Sequence, residues 1–235
     1  MPGSIDTAFA VGALRSCVLF ARCSDATLEQ CATQLRMRRF RRNDTVFHQG
    51  DPGDSLYIIE SGTVKVVLPS PEGEEGAIIA SLGRGAFFGE LALLDGAPHS
   101  ASVVALDQVD ALVLHREQFD ELIDTDPELR RALLAGLTAE LRRLTRHVED
   151  LHFLDLPGRL ARRLLDLAAE AAPGQQVDVR LSWPYTQSDL AAMIGGTRQT
   201  VNRLLADLVD QDLIAVEKDA IVIRDVARLE QAAER

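Results

Sequence analysis

The sequence predicts an α+β protein that consists of an N-terminal β-barrel of the jelly-roll type, a long helix and a C-terminal winged helix-turn-helix. Three observations predict this fold. Short β-prone runs separated by glycine turns come first, a leucine heptad follows them, and two short helices meet at a glycine pair near the end. We expect a barrel domain at 1–126, a long helix with a hinge at 127–155 and a helix-turn-helix domain at 156–235.

The barrel segment is preceded by short helices. Ser24 begins one of them, and Leu28, Cys31 and Leu35 follow along one helix face. Five arginines between positions 36 and 42 flank or alternate with apolar residues, which favours a solvated strand face over a nucleic-acid patch. The further predicted strands are 45–47, 56–59, 64–68, 77–81, 87–88, 101–105 and 111–114.

A long helix begins near Pro127 and carries apolar residues at spacings of three and four, which is typical of a coiled-coil seam. A seam this narrow favours a parallel pair of helices from two subunits. Packing of the helix on its own barrel would explain some of these leucines but not the whole stripe. The predicted dimer interface consists of Leu134, Leu137, Leu141, Leu144, Val148 and Leu151.

Two short helices separated by a glycine turn follow in the last third. Thr186 and Asp189 form a capping box, and Gly195-Gly196 ends the first helix. The second helix begins at about Thr197 and presents groups that bond base edges and phosphates, as a recognition helix does in a major groove. A polar-faced helical hairpin of another fold is the alternative. The predicted DNA-binding residues are Thr197, Arg198, Gln199, Thr200, Asn202 and Arg203.

The segments on either side of these helices complete the predicted domain. The long helix is interrupted at Phe153–Gly158, where we expect the hinge, and Asp155 can cap the next helix. After the recognition helix, the apolar runs 213–216 and 221–223 flank a turn and predict a small hairpin, hence a winged helix.

Composition limits the function classes. The net charge of −11 is the wrong sign for indiscriminate nucleic-acid binding, so DNA binding has to come from a local positive face that contains Arg198 and Arg203. Cys17, Cys23 and Cys31 indicate no disulfide framework, and no run approaches a membrane span, so we expect a cytoplasmic protein. The chain holds no motif of an enzyme and no metal-ligand spacing.

Five segments in this order resemble the CRP/FNR family of bacterial transcriptional regulators. They are GDPGDSLYIIESGTVKV (50–66), FGEL (88–91), SA (100–101), FLDLPGR (153–159) and TRQTVNR (197–203). The resemblance implies a sensor barrel of the cyclic-nucleotide-binding type, a dimerisation helix and a domain that binds double-stranded DNA at a palindromic promoter site. It also implies that the bound dimer recruits or blocks RNA polymerase.

The same resemblance implies an effector pocket, in which Glu90 bonds a ribose hydroxyl and Ser100 and Ala101 contact the phosphate. Three positions depart from the family pattern. His99 replaces an arginine that pairs with the phosphate, Glu140 replaces a second one, and Leu144 stands where a hydroxyl touches adenine, with Thr145 beside it. The implied pocket residues are Gly89, Glu90, Leu91, His99, Ser100, Ala101, Glu140, Leu144 and Thr145.

Loss of a guanidinium–phosphate pair removes a strong contact, so we expect a cyclic nucleotide to be a disfavoured ligand. The expected regulator is competent without an effector or responds to another ligand. A cyclic-AMP-responsive activator is one alternative, and a ligand- or redox-sensing module that acts through protein contacts is the other. An iron–sulfur cluster is not expected from the wide cysteine spacing, and we expect His99 to be solvated.

The resemblance also assigns roles in DNA reading. Arg198 and Arg203 are the implied readers of guanine, while Thr197 and Thr200 bind phosphates. Gln199 stands where the family often has a glutamate that accepts from cytosine. An amide pairs better with adenine, so the half-site is expected to differ from TGTGA at one base.

Overall fold

The computed structural model describes residues 6–70 and 76–233, which form two compact units. Of the described residues, the first unit comprises 6–70 and 78–142, and the second comprises 76–77 and 143–233. In the described part of the first unit, the strands are β1 (Arg36–Phe40), β2 (Thr45–Phe47), β3 (Ser55–Ser61), β4 (Val64–Leu68), β5 (Ala77–Leu82), β6 (Phe87–Phe88), β7 (Ser102–Ala105) and β8 (Val109–His115).

Among the residues described, five helices begin in the first unit, and the last of them continues into the second. They are α1 (Thr7–Ser16), α2 (Asp25–Ala32), α3 (Glu90–Asp95), α4 (Arg116–Thr125) and α5 (Pro127–Phe153). Within the described residues of the second unit, the further elements are α6 (Leu156–Ala171), β9 (Val177–Ser182), α7 (Gln187–Ile194), α8 (Arg198–Asp210), β10 (Ile214–Val216), β11 (Ala220–Asp225) and α9 (Val226–Ala233).

Two four-stranded antiparallel sheets build the barrel, in the orders β1-β8-β3-β6 and β2-β7-β4-β5. Successive side chains of β3 point to opposite sheet faces: Tyr57 and Ile59 join the core between the sheets, and Leu56 and Ile58 join a second core on the other side. Because both faces are buried, β3 reads as a continuous apolar run. The predicted α+β class with a jelly-roll barrel is confirmed.

The second core of the barrel unit is formed by helices packed on the outer face of that sheet. Leu28 and Cys31 of α2 are buried in it as the sequence predicted, and the Ser24 hydroxyl accepts from Thr27 N–H as the N-cap of α2. Leu129 and Leu133, on the first turns of α5, are buried in the same core. Helix α5 therefore begins as part of the barrel unit.

The helix-turn-helix follows its predicted local signals. The Thr186 hydroxyl accepts from Asp189 N–H, and the Asp189 carboxylate accepts from Thr186 N–H, so the capping box is present. Gly195 ends α7 in the left-handed region with φ +71°. Asp155 accepts from Gly158 N–H at 2.9 Å and caps α6.

The wing is larger than the sequence analysis predicted. The expected hairpin is β10 and β11, but β11 also pairs with β9, in the order β10-β11-β9. Val179 and Leu181 of β9 are buried while their neighbours are exposed, so β9 covers the domain core with one face. Helix α9 then packs Leu229 and Ala233 into the interior. Across the described residues, no helix is both long and apolar enough to cross a membrane.

Candidate DNA interface and effector pocket

Helix α8 is anchored by one face and leaves the other face open. Its buried residues are Val201, Leu204, Leu205 and Leu208. The Thr197 hydroxyl is the N-cap: it accepts from Thr200 N–H at 3.2 Å and lies 3.0 Å from the Thr200 hydroxyl. Both predicted phosphate-binding threonines therefore lie at the first turn, where free N–H groups and the helix dipole favour an anion.

The predicted base-reading side chains are presented to solvent. Arg198, Gln199, Asn202 and Arg203 are all exposed. Within residues 6–70 and 76–233, Arg198 and Arg203 have no hydrogen-bond or ion-pair partner, unlike Arg180 and Arg224 of the wing, which pair with carboxylates. Two unpaired guanidinium groups on the open helix face are the local positive surface that an acidic protein needs in order to contact DNA.

The heptad residues of α5 are largely exposed in the single chain. Leu134 is 64% exposed and Leu141 is 66% exposed, while Val148 and Leu151 are 52% and 43% exposed. Leu137 is partly buried against the core of its own unit. These large apolar side chains therefore form a stripe on one helix face that the single chain leaves exposed to solvent.

The predicted glycine-glutamate-leucine motif forms the start of α3. Gly89 is the N-cap with φ +91°, and a Cβ there would lie 2.6 Å from Ser55 O. Only glycine satisfies both conditions. Glu90 is the first residue of the helix, and Leu91 is exposed.

His99 is buried, and the expectation that it is solvated is wrong. Its ring stacks on Phe47 with centroids 3.5 Å apart and planes 5° apart, and its exposed fraction is 8%. A Cβ at Gly53 would overlap Ala92 Cβ and lie 2.8 Å from His99 Cε1, so α3 and the histidine meet at this glycine. Burial lowers the pKa of His99, although Asp51 and Asp54 act in the opposite direction.

Glu140, the second position that departs from the family pattern, acts on Glu90 through its charge. Burial is the main cause that raises the pKa of Glu90, and the charge of Glu140 raises it further, so these carboxyl groups lie within electrostatic range. Ser100 is exposed and Ala101 is buried just before β7. Leu144 and Thr145 lie on the part of α5 that belongs to the second unit.

Sequence reasoning missed two features of this region. The first is an aromatic cluster, in which the Tyr57 and Phe88 rings stack at 5.0 Å and Phe47 lies 5.8 Å from Phe88. The second is Arg116, whose guanidinium donates to the carbonyl oxygens of Gly53, Ala92 and Leu93 at 2.8–2.9 Å. Neither leaves a local sequence signal, because the partners are distant along the chain.

The three cysteines lie in the helical core of the barrel unit. Cys17, Cys23 and Cys31 are free thiols with exposed fractions of 0%, 4% and 0%. Burial raises the pKa of Cys17 and of Cys23 to about 11 and the pKa of Cys31 to about 12. Protonated thiols without solvent access are poor nucleophiles and poor redox sensors.

Two family models match the chain. The model described as cyclic nucleotide-binding domain matches residues 37–126, and the model described as Crp-like helix-turn-helix domain matches residues 158–232. Together they cover most of the barrel unit and of the second unit, in the order in which the structure arranges them.

Curated relatives and a solved structure extend the similarity to nearly the full length. The chain is 34% identical to a CRP-like cAMP-activated global transcriptional regulator of Mycobacterium tuberculosis, over 92% of this chain and 96% of the relative. It is 32% identical to the cAMP-activated global transcriptional regulator CRP of Escherichia coli, over 85% and 95%. The structure of FixK2 from Bradyrhizobium japonicum covers 84% of this chain and 96% of its own, with a TM-score of 0.76 at 23% identity.

The cysteine environment predicts inert thiols. At pH 8 a thiol with a pKa of about 11 is about one part in a thousand thiolate, so we expect Ellman's reagent to label none of the three in the native protein. In guanidinium chloride all three should react. If one thiol of the native protein reacted as fast as in the denatured protein, the buried, protonated state would be contradicted. Pretreatment of the native protein with hydrogen peroxide should leave three thiols that react after denaturation.

Proposed function

This chain belongs to the CRP/FNR family of transcriptional regulators, and from this premise we propose that it is a homodimeric, sequence-specific regulator that cyclic AMP does not control in the usual way. The proposed dimer binds a palindromic promoter site and recruits or blocks RNA polymerase there. The observation that carries the DNA-binding part is the exposed, unpaired pair Arg198 and Arg203 on the open face of α8.

The proposed reading of DNA follows from side-chain chemistry. A guanidinium bonds guanine O6 and N7 in a bidentate manner, and an amide bonds adenine N6 and N7. We therefore assign guanine to Arg198 and Arg203, adenine to Gln199, and phosphates to Thr197 and Thr200. Because the net charge is −11, non-specific affinity is weak and these few contacts dominate.

The proposed dimer depends on the seam of α5. Leu134, Leu141 and Val148 are seven residues apart and at least half exposed; Leu137 and Leu144 fall between them, and Leu151 follows Val148. In a parallel coiled coil of two such helices, these apolar side chains would be buried in the interface between the helices. A twofold dimer then presents two recognition helices to half-sites one helical turn apart.

Leu141→Glu tests this seam. A carboxylate at the centre of an apolar helix pair is desolvated without a partner, so we expect dissociation to monomers at micromolar concentrations and loss of operator binding. Sedimentation equilibrium measures the change. Ala139→Glu adds the same charge on the outer face of the helix and should remain dimeric. A wild-type protein that stays monomeric at every concentration would refute the dimer.

The proposal about the effector depends on His99, Glu90 and Glu140. A cyclic phosphate needs cations around it, yet this pocket places a buried imidazole with a lowered pKa against Phe47. Two carboxyl groups within electrostatic range of each other add repulsion for an anion. A charged hydrogen bond contributes about 1.5–3 kcal/mol, so the exchange of one guanidinium weakens phosphate binding about tenfold to a hundredfold.

His99→Arg combined with Glu140→Arg should restore affinity for cyclic AMP. We expect the dissociation constant from isothermal titration calorimetry to fall about tenfold or more for each arginine added, because each supplies a charge-assisted bond to phosphate. His99→Gln is the neutral control and should bind no better than wild type. Micromolar binding by the wild-type protein would contradict the proposal.

That contradicting result would establish the second candidate function, a cyclic-AMP-responsive activator. The names of the Mycobacterium tuberculosis and Escherichia coli relatives favour it, since both are described as cAMP-activated. In that case, promoter binding should require the nucleotide. If the purified protein binds promoter DNA without added nucleotide, that result supports our proposal instead.

The decisive experiment is selection from a pool of random DNA sites, with no nucleotide added. We expect the wild-type chain to enrich an inverted repeat, and Gln199→Glu to change one base of each half-site from adenine to cytosine, because a carboxylate accepts from cytosine N4. Gln211→Glu adds the same charge at the far end of α8 and should select the wild-type site. Enrichment of no symmetric sequence would refute sequence-specific binding.

A further inference from the structure

The turn between α7 and α8 has a partner outside the helix-turn-helix. At the end of α7, the N–H groups of Gly195 and Gly196 both donate to Ala191 O. The carbonyl of Ile194, the last residue of the helix, instead accepts from Nη1 of Arg159 at 2.8 Å. Carbonyls at a helix C-terminus lack intrahelical donors, so the guanidinium supplies a bond that α7 cannot make.

The same guanidinium also holds the end of the long helix. Nε of Arg159 donates to Leu154 O at 3.1 Å. Leu154 N–H still donates to Asp150 O at 3.1 Å, so Leu154 extends the last turn of α5. One planar, rigid group therefore joins the C-terminal end of α5 to the C-terminal end of α7, and all of these atoms belong to the second unit.

The surrounding packing leaves little space for these ends to move separately. A Cβ at Gly195 would lie 3.2 Å from Nη1 of Arg159, and a Cβ at Gly196 would lie 3.2 Å from Cδ2 of Leu156. Gly158, at the start of α6, is buried, and a Cβ there would lie 3.2 Å from the Asp155 carboxylate. A shift of the segment after α5 therefore has to move the turn that precedes Thr197.

We propose that Arg159 is a positioning residue that couples the end of α5 to the recognition helix. By fixing Ile194, it sets the place of the N-cap Thr197 and of the base-reading side chains that follow. This inference deepens the proposed function and rests on it, because it assumes that α8 binds DNA. Both acceptors of Arg159 are main-chain carbonyls, so the role is geometric and does not consist of neutralising a carboxylate.

The neighbouring Arg162 provides a matched control. It lies on the same helix and carries the same charge, but its buried Nε has no hydrogen-bond partner in the described structure. Arg159→Met and Arg162→Met therefore remove equal charge and similar length, but only Arg159→Met removes hydrogen bonds to the two carbonyls, whereas Arg162 acts on Asp150 of α5 through its charge alone. Arg159→Lys keeps the charge but cannot reach both carbonyls with the geometry of a guanidinium.

Two measurements on the full-length protein test the coupling. The first is fluorescence anisotropy with the selected operator and with random DNA of equal length. Arg159→Met should lower operator affinity about tenfold or more, because the C-terminal ends of α5 and α7 each lose a charge-assisted hydrogen bond. Arg162→Met should lower operator affinity no more than random-DNA affinity. Equal losses of operator affinity in both variants would overturn the proposal.

The second measurement is hydrogen exchange of the main-chain amides at 195–199, without DNA. Arg159→Met should speed exchange in this turn, Arg159→Lys should do so to a smaller extent, and Arg162→Met should not. Equal exchange in Arg159→Met and wild type would overturn the coupling.

Fluorescence of Trp183, the single tryptophan, verifies that the second unit is folded in each variant. If the wild type selects no site, the proposed function fails, and exchange alone still decides the inference.

Discussion

Guanidinium groups that bond the carbonyl oxygens at helix ends hold together the parts of this protein that matter for its function. Such carbonyls carry partial negative charge and lack donors within their helix. Arg116 satisfies the end of α3, Arg130 the end of α4, Arg159 the end of α7 and Arg228 the residues after α8. An arginine has five donors in a rigid fork, so one side chain can fix two segments at once.

This use of arginine explains how an acidic chain presents a selective positive surface. Arginines such as Arg116 and Arg159 are committed to internal carbonyls, and those of the wing are paired with carboxylates. Arg198 and Arg203, on the open face of α8, have no such partner among the residues that the structure describes. The acidic chain as a whole therefore does not attract phosphate backbones over a long range. Any contact with DNA depends on two local guanidinium groups, whose positions are set by the position of α8.

Local signals determined how far the sequence could predict the fold. The capping box of Thr186 and Asp189 and the left-handed Gly195 act within a few residues, so the helix-turn-helix was predicted to within a residue or two. The heptad on α5 and most barrel strands were equally visible. Strand β9 was missed because its alternation is short and its partner β11 follows only after two helices and another strand.

The candidate sites were less predictable because their environments are built by distant segments. His99 was expected in solvent, yet Phe47 of β2 covers its ring. The motif that contains Arg159 was recognised, but no residue near it in sequence indicates that Ile194 is its acceptor. Helices α4 and α9 were also missed; each buries only two residues.

The position of β1 has a consequence for how two copies can meet. This strand is at the edge of its sheet, and Arg36, Arg38 and Arg39 along it are exposed. An unpaired strand edge would otherwise offer its main chain to the same edge of another copy. Arg39 is paired with Asp110, but the charges of Arg36 and Arg38 on both edges would oppose a continuous intermolecular sheet, so self-association through this strand is discouraged.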